Sequence, residues 1–400
     1  MGGDGNERIL CLASHETGHD FLRQCAEMGV RPTVLTLDAC KHGGWPQEAV
    51  ESVASMPPGL SREQILNTVS WMVRGRRFDR IVALEDSDQG MAAVMREHLR
   101  VPGMGVTTTA YYRDRLAQRL SVRESGFLTP EFTSILNYDE LRAFMASVPG
   151  PWLLKSRVKG SALRRRRIGD AEHLWRTLDE LGDLQSRFLL EQYVDGEEFH
   201  VDALLSQCDV LFSVARRHTV AARSAPDAKV KTTHTLDHGG RDWMELTALN
   251  AGLAPSLGMV RGVTHARYVR AHADGRYYFL EIAAGVSGVF TAQTVEAASG
   301  VNLWREWARL EVAGLRGETY VPPESYEYHA GSLACPVGNE AEMSSFGARE
   351  IAARLRNGHY AGLLVRDANP QRVSELLEQF SAELARRIAA PVTTQKTPVG

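Results

Sequence analysis

An α/β domain on a parallel sheet, followed by α+β units on antiparallel sheets, is the architecture that the sequence predicts. Three observations carry this expectation. The first hundred residues alternate short apolar runs with amphipathic stretches. From about residue 150 the apolar runs come in hairpin-spaced pairs. The length of 400 residues exceeds what one hydrophobic core ordinarily serves, so two or three subdomains are expected.

In chain order, Arg8-Ile-Leu-Cys-Leu-Ala reads as a strand, Asp20 to Met28 as a helix and Pro32-Thr-Val-Leu-Thr-Leu as the next strand. Strand, helix and strand at this spacing imply parallel pairing. Glu63 to Arg74 reads as a helix, Arg80-Ile-Val-Ala-Leu as a buried strand and Gln89 to Leu99 as a helix, ended by Pro102-Gly103. The acidic turn Glu85-Asp-Ser-Asp88 then lies at the carboxyl end of a strand, where open α/β sheets place ligands. A solvated turn is the plainer reading of it. A helix over Asp114 to Ser125 precedes strands at Trp152 to Arg157 and Arg164 to Ile168, which flank the small-residue tip Val158-Lys-Gly-Ser-Ala162. Strands follow at Phe188 to Tyr193, Glu198 to Leu205 and Cys208 to Val214. The polar, basic stretch Thr219 to Gly240 is expected to be a mobile loop. A helix near Trp243 to Leu253 leads to a hairpin, Thr264 to Arg270 and Arg276 to Ile282, turned by Ala273-Asp-Gly275. Leu303 onward is helical in period. The last part is expected to hold a strand near Tyr326 to Cys335, a helix near Phe346 to Asn357, a strand Tyr360 to Val365 and a helix Pro370 to Ile388.

A hydrophobic content of 44% suits compact folding. A formal charge of −3 and a pI near 6.5 give no global attraction to nucleic acid, so that partner is not expected. Five cysteines without a CxxC pair point to reduced thiols rather than to disulfides or a zinc knuckle. No run of about 18 apolar residues is present and no basic segment opens the chain. The expectation is a cytoplasmic protein without a membrane partner.

Three segments could carry chemistry together: Lys155 in Pro151-Trp-Leu-Leu-Lys, the run Glu191-Gln-Tyr-Val-Asp-Gly-Glu-Glu198, and Tyr277-Tyr-Phe-Leu-Glu281. A lysine rising from a buried strand supplies a positive charge fixed by packing, which suits a polyphosphate. Taken alone, it also fits a charged strand end. Glycine and small residues between hairpin strands allow backbone N–H groups to approach phosphate oxygens closely. Arg164 to Arg167 would alternate faces on a strand, either toward a cleft or as a solvated edge.

The order and spacing of these segments resemble the nucleotide site of the ATP-grasp superfamily, over roughly Arg8 to Leu310. The resemblance implies a fold of two antiparallel-sheet subdomains gripping ATP, preceded by a parallel α/β domain and followed by a small α+β cap. The implied divisions are 1–112, 113–190, 191–317 and 318–392, with 393–400 as a disordered tail. It further implies that Lys155 and Arg115 contact phosphates, and that Gly160 and Ser161 belong to a loop closing over them. Glu191 would face the adenine amine, Tyr193 and Val194 would form the hinge, and Glu198 would hold the ribose. Glu197 would be the solvent-facing neighbour. Arg115 stands in Arg113-Asp-Arg, where relatives carry a lysine.

Magnesium is where the pattern departs from the family. Relatives place one carboxylate on the first strand of the late hairpin and a Glu-Ile-Asn-Pro-Arg-like motif on the second, whose oxygens hold Mg²⁺. Aligning Thr264-His-Ala-Arg-Tyr puts Arg267 at the first acid, and Glu281-Ile-Ala-Ala-Gly keeps only Glu281, with Ala283 and Gly285 replacing the asparagine and arginine. Two unit charges about 4 Å apart interact by roughly 4 kcal/mol at an effective dielectric of about 20. Exchanging an acid for a base beside a divalent ion is therefore costly, and Mg²⁺ is expected to bind weakly or atypically. Arg267 could itself neutralise phosphate. The resemblance implies an ATP-dependent ligase that joins a small carboxylate and a small amine through an acyl phosphate, with Arg267 and Glu281 as the catalytic pair. The alternative is a catalytically reduced relative that binds a nucleotide or metabolite as a regulatory subunit. A homodimer is compatible with either, and no pattern fixes the oligomeric state.

Other clusters are read more plainly. His15-Glu-Thr-Gly-His19 matches H-E-x-x-H, but it follows a strand and contains Gly18, so a loop is expected rather than a zinc helix. His218, His234, His238 and His265 match no zinc spacing and are expected at the surface or in a substrate loop. Trp304 and Trp307, three apart on a helix, are expected to pack in the core.

Overall fold

The computed structural model describes residues 7–158, 166–220, 230–325, 328–336, 343–358 and 360–389. β1 (Ile9–Ala13) is apolar and buried at every position, as a strand flanked on both sides and covered on both faces must be. α1 (His19–Glu27), β2 (Thr33–Leu37), β3 (Ser52–Met56), α2 (Arg62–Met72), β4 (Arg80–Ala83) and α3 (Gln89–Leu99) complete a parallel sheet of order β3-β2-β1-β4. β3 is an edge strand with one buried residue in five, which is why its sequence carries no clear apolar run. α2 begins with a capping box, Ser61 and Gln64 each bonding the other's backbone N–H. Leu10, Leu12, Leu35, Phe78, Ile81 and Met95 form the core of this sheet and its helices.

α4 (Val106–Arg113) and α5 (Arg115–Glu124) meet at Asp114, whose extended backbone ends one helix and whose carboxylate caps the next through Leu116 N at 2.9 Å. Then come β5 (Phe132–Ser134), α6 (Tyr138–Ser147), β6 (Trp152–Ser156), β7 (Arg166–Ile168), α7 (Ala171–Leu181) and β8 (Phe188–Gln192). The strands make an antiparallel sheet of order β5-β8-β6-β7. Leu141 and Phe144 of α6 and Leu174 and Leu178 of α7 share its core with Leu154, Ile168 and Leu190. β6 and β7 pair as expected. Gly160 and Ser161, on their connection, lie outside the described residues.

The chain continues through β9 (Gly196–Ser206), β10 (Asp209–Val220), β11 (Lys231–Thr235), α8 (Arg241–Ser256), β12 (Arg261–Ala271), β13 (Tyr277–Ala284), α9 (Thr291–Ser299) and α10 (Leu303–Arg316). It ends in β14 (His329–Pro336), β15 (Ile351–Asn357), β16 (Tyr360–Asp367) and α11 (Pro370–Ala389). Two compact units divide it. The first comprises Met1–Ser213, Glu245–Ser287 and Leu303–Pro323. There β12 lies antiparallel between β9 and β13, and Trp307 of α10 packs edge-on against Phe21 at 5.4 Å. The second unit comprises Val214–Met244, Gly288–Asn302 and Glu324–Gly400. In it the later part of β10 pairs with β11, β11 with β14, β14 with β16 and β16 with β15, all antiparallel. Leu333, Leu363, Val365, Leu376 and Phe380 sit at its centre.

Two expectations fail. The stretch Thr219 to Gly240 contains β11, because Lys-Thr-Thr-His-Thr supplies β-branched residues that pair on both sides. The helix expected near Phe346 to Asn357 is instead β15, an edge strand whose alternating half-buried and exposed residues follow the period of two of its pairing with β16. Its Ala, Leu and Arg favour helix locally, and tertiary pairing overrides them. No helix among the described residues is long and apolar enough to cross a membrane.

Candidate active site

Glu191 lies on β8 opposite Leu153 of β6, one diagonal step from Lys155. The Lys155 ammonium donates to one carboxylate oxygen of Glu191. Arg119 of α5 donates to the other from Nε at 2.8 Å and Nη2 at 2.6 Å. Glu191 and Arg119 are buried, at 1% and 0% exposure. Burial alone would raise the Glu191 pKa, but Arg119 and Lys155 outweigh it and hold the carboxyl below its ordinary value. Burial pushes the Lys155 ammonium below its ordinary pKa; Glu191 opposes that shift and Arg119 adds to it.

A second cluster joins the late hairpin to the same helix. Arg267 faces Glu281 directly across β12 and β13. Arg267 donates from Nη1 to Glu281 and from Nη2 to Glu198 of β9, each at 2.7 Å. Arg115 donates from Nε to the other Glu281 oxygen at 2.9 Å and from Nη1 to Ser156 O at 2.7 Å. Burial opposes the charge of Arg267, yet the two carboxylates raise its pKa above the ordinary value. Glu281 also lies within electrostatic reach of Lys155. The structure thus brings Lys155, Glu191, Arg115, Arg267, Glu198 and Glu281 into one string of alternating charge. Glu197 lies directly opposite Arg270, to which it is ion-paired. The Tyr193 ring lies under the Arg167 guanidinium at 4.6 Å, and Val194 follows it between β8 and β9.

The residues do not form a cradle for magnesium. Glu281 is the acid available at the expected place, and both its oxygens already accept guanidinium donors. Ala283 is buried at 2% exposure. Gly285 has φ +108°, and a Cβ there would stand 3.4 Å from the Trp307 ring. Among the described residues, no group of three or more His, Cys, Asp or Glu is arranged to hold a metal ion.

The other clusters resolve into structure. His15 leaves the end of β1 and meets Glu85 at 3.0 Å, whereas His19 begins α1 beside Trp45. The expected loop is present. Asp88 accepts Ser14 N at 2.7 Å and Asp86 accepts from Arg113, so the acidic turn braces its neighbours. Trp307 is buried and stacks on Trp304, as expected. His234 and His265 were expected at the surface or in a loop. Instead His234 lies within β11 and His265 is buried on β12, 2.8 Å from Asp202. Arg119 escaped the sequence reading altogether. The signal for it was its position four residues after Arg115, one helical turn along the same face. Gln118 on that turn donates to Ile282 O at 2.8 Å.

No family model matches the chain. It is similar to the L-arginine-specific L-amino acid ligase of Bacillus subtilis, 23% identical over 241 residues, covering 59% of this chain and 58% of that protein. It is also similar to the D-alanine–D-alanine ligase of Marinobacter nauticus, 26% identical over 132 residues, 32% of this chain and 41% of that protein. The chain thus spans about half the length of these curated relatives. Among solved structures, the L-amino acid ligase from Bacillus licheniformis superposes with a TM-score of 0.70 at 17% identity, over 94% of this chain and 98% of that one. The N5-carboxyaminoimidazole synthase from Aspergillus clavatus, solved with ADP and 5-aminoimidazole ribonucleotide, gives 0.73 at 13% identity, over 96% and 100%. The fold and these likenesses agree: the chain is similar, in sequence and in architecture, to ATP-grasp carboxylate–amine ligases.

Proposed function

We propose that this chain is an ATP-dependent carboxylate–amine ligase acting on small amino-acid-like substrates in the cytoplasm. The single observation that carries the reading is the string of charge from Lys155 and Glu191 to Arg267 and Glu281, built within one compact unit from four strands of two sheets and the face of α5. Lys155 and Arg115 supply fixed positive charge for the triphosphate, and the resemblance assigns Gly160 and Ser161 to the same phosphates. Glu191, with the hinge at Tyr193 and Val194, reads the adenine edge, and Glu198 accepts the ribose hydroxyls. The four-part division at residues 112, 190 and 317 belongs to the same reading.

The chemistry balances as two displacements. A substrate carboxylate oxygen attacks the γ-phosphorus, the bond to the bridging oxygen breaks, and ADP leaves. The amine then attacks the acyl carbon, phosphate departs with the electron pair of the C–O bond, and the nitrogen loses a proton. Arg267 and Arg115 face charge that develops on phosphoryl oxygens, a stabilisation worth most in a water-excluded site. Magnesium has atypical support here: Glu281 is the carboxylate assigned to it, and Arg267 takes the place of a second acid.

Incubation with ATP and pooled amino acids, followed by phosphate release and mass analysis, tests the reading. ADP together with a condensation product is the expected result. Absence of ADP in every mixture would overturn it.

A further inference from the structure

The face of β9, β12 and β13 that carries the string of charge holds more titratable side chains than that string uses. Strand alternation puts His265 and Arg267 of β12 on it, with Glu198, His200 and Asp202 of β9 and Glu281 and Ala283 of β13. Arg267 stands opposite His200 on one side and Glu281 on the other. His265 stands opposite Asp202 and Ala283.

His265 Nδ1 and Asp202 lie 2.8 Å apart, and the two residues are buried at 4% and 0% exposure. The His200 ring meets the His265 ring edge-on with centroids 4.9 Å apart, which braces the plane of the imidazole. With Asp202 ionised, the hydrogen of their bond sits on His265 Nδ1, so Nε2 is the basic nitrogen. Burial disfavours a charged imidazole and a neighbouring carboxylate favours it. Such a balance suits a group that takes up a proton and gives it back. Beside the ring, Ala283 presents only a methyl, where the resemblance leads an asparagine to be expected, so its side chain offers the imidazole no competing hydrogen bond.

The order of residues gives this pair its task. Along β9 and β12 the face carries Glu198, then Arg267 opposite His200, then His265 opposite Asp202. Each two-residue step advances about 7 Å. On the ligase reading the first step holds the ribose and the second the transferring phosphoryl group, which leaves the acyl carbon and the incoming nitrogen for the third. An α-ammonium has no lone pair and predominates at neutral pH. The second displacement therefore requires a proton acceptor there. We propose that His265 is the general base that deprotonates the acceptor substrate's ammonium, with Asp202 as its positioning residue. This role rests on the ligase reading and adds to it the group that takes the proton. One proton passes to Nε2, the neutral amine attacks the acyl carbon, the C–O bond to phosphate breaks, and the second proton leaves with the phosphate. Asp202 offsets the imidazolium charge until that proton returns to solvent. The other charged or titratable groups around the ring are Glu198, His200, Arg267 and Glu281, with Arg115 of α5 bonded to Glu281.

Hydroxylamine separates the two displacements, because it is largely unprotonated at neutral pH and attacks acyl phosphates without a base. The full chain is incubated with ATP, Mg²⁺ and a pool of the protein amino acids, with and without hydroxylamine, and amide and hydroxamate are measured by mass. The parent is expected to make both, with an acid limb near neutral pH in amide formation that hydroxamate formation lacks. In His265→Gln the ratio of amide to hydroxamate is expected to fall about a hundredfold, and alkaline pH, where free amine is abundant, restores part of it. Asp202→Asn keeps the volume but favours the wrong tautomer, so the same ratio is expected to fall. An unchanged ratio in both variants, or an acid limb that disappears with His200→Gln instead, would overturn the proposal. If neither variant folds, matching pH profiles for the two products in the parent overturn it. Hydroxamate from the parent upholds the ligase reading whatever the variants do. A parent that yields neither product and no ADP ends that reading, and this role with it.

Discussion

Arg267 stands directly opposite Glu281 on the β12–β13 hairpin, 2.7 Å away, where the resemblance leads an acid to be expected. Its other terminal nitrogen reaches Glu198 at the same distance, so one guanidinium ties together the two carboxylates assigned to ribose and metal.

Replacing that guanidinium with the family's residues restores an acid cluster. Arg267→Glu with Ala283→Asn places two carboxylates and an amide together, and like charges without a cation cost roughly 1–3 kcal/mol. Thermal unfolding should show a lower melting point without metal and a marked rise with Mg²⁺ and ATP. Equal Mg²⁺ dependence in parent and variant would contradict the assignment of this site.

Arg119→Met removes the bidentate partner of a carboxylate that is 1% exposed. Leaving such a charge underpaired costs about 3–5 kcal/mol, whereas an apolar swap of both partners costs much less. Lys155 shares Glu191, so the apolar swap has to include it. Urea unfolding of Arg119→Met and of Arg119→Met with Glu191→Leu and Lys155→Met should show a smaller loss in the triple variant. Strictly additive losses would mean that the cluster is uncoupled.

His234 is held neutral in the fold, with its pKa lowered from 6.5 to about 4, chiefly by burial and then by Arg217 and His329. The unfolded chain binds the extra proton first, so stability falls as pH drops from about 6.5 toward 4, by at most about 3 kcal/mol. His234→Gln should flatten that slope in unfolding measured at pH 7 and pH 5. Glu191 is also depressed. Its contribution is present above the ordinary carboxylate pKa and is lost as pH falls through the lower folded value.

Gly196 opens β9 where a Cβ would lie 2.1 Å from Arg270 O. Gly196→Ala must push the strands apart beside Glu197 and Glu198, at a cost of roughly 1–3 kcal/mol. Chemical denaturation together with ATP titration checks it: both stability and nucleotide affinity should fall. An affinity that survives intact would separate Glu198 from ribose binding.

The elements most legible in the sequence were those whose apolar pattern matches their burial, such as β1 with all five residues buried. The late hairpin was legible because Asp274-Gly275 marks its turn, and the structure keeps Arg267 against Glu281. β15 was hidden because an edge strand takes its pairing from a distant partner while its residues favour helix locally. Arg119 was hidden for a related reason. A fully buried arginine is uncommon, and only the carboxylate 72 residues away explains it.

α5 presents Arg115, Gln118 and Arg119 to Glu281, the carbonyl of Ile282 and Glu191. Little more than one turn of a rigid rod therefore bolts the sheet of β6 and β8 to the hairpin of β12 and β13. Any breathing of the space between these walls has to roll or carry that rod, loosening both acids at once, so the two sides act as a coupled mechanism and not as independent jaws.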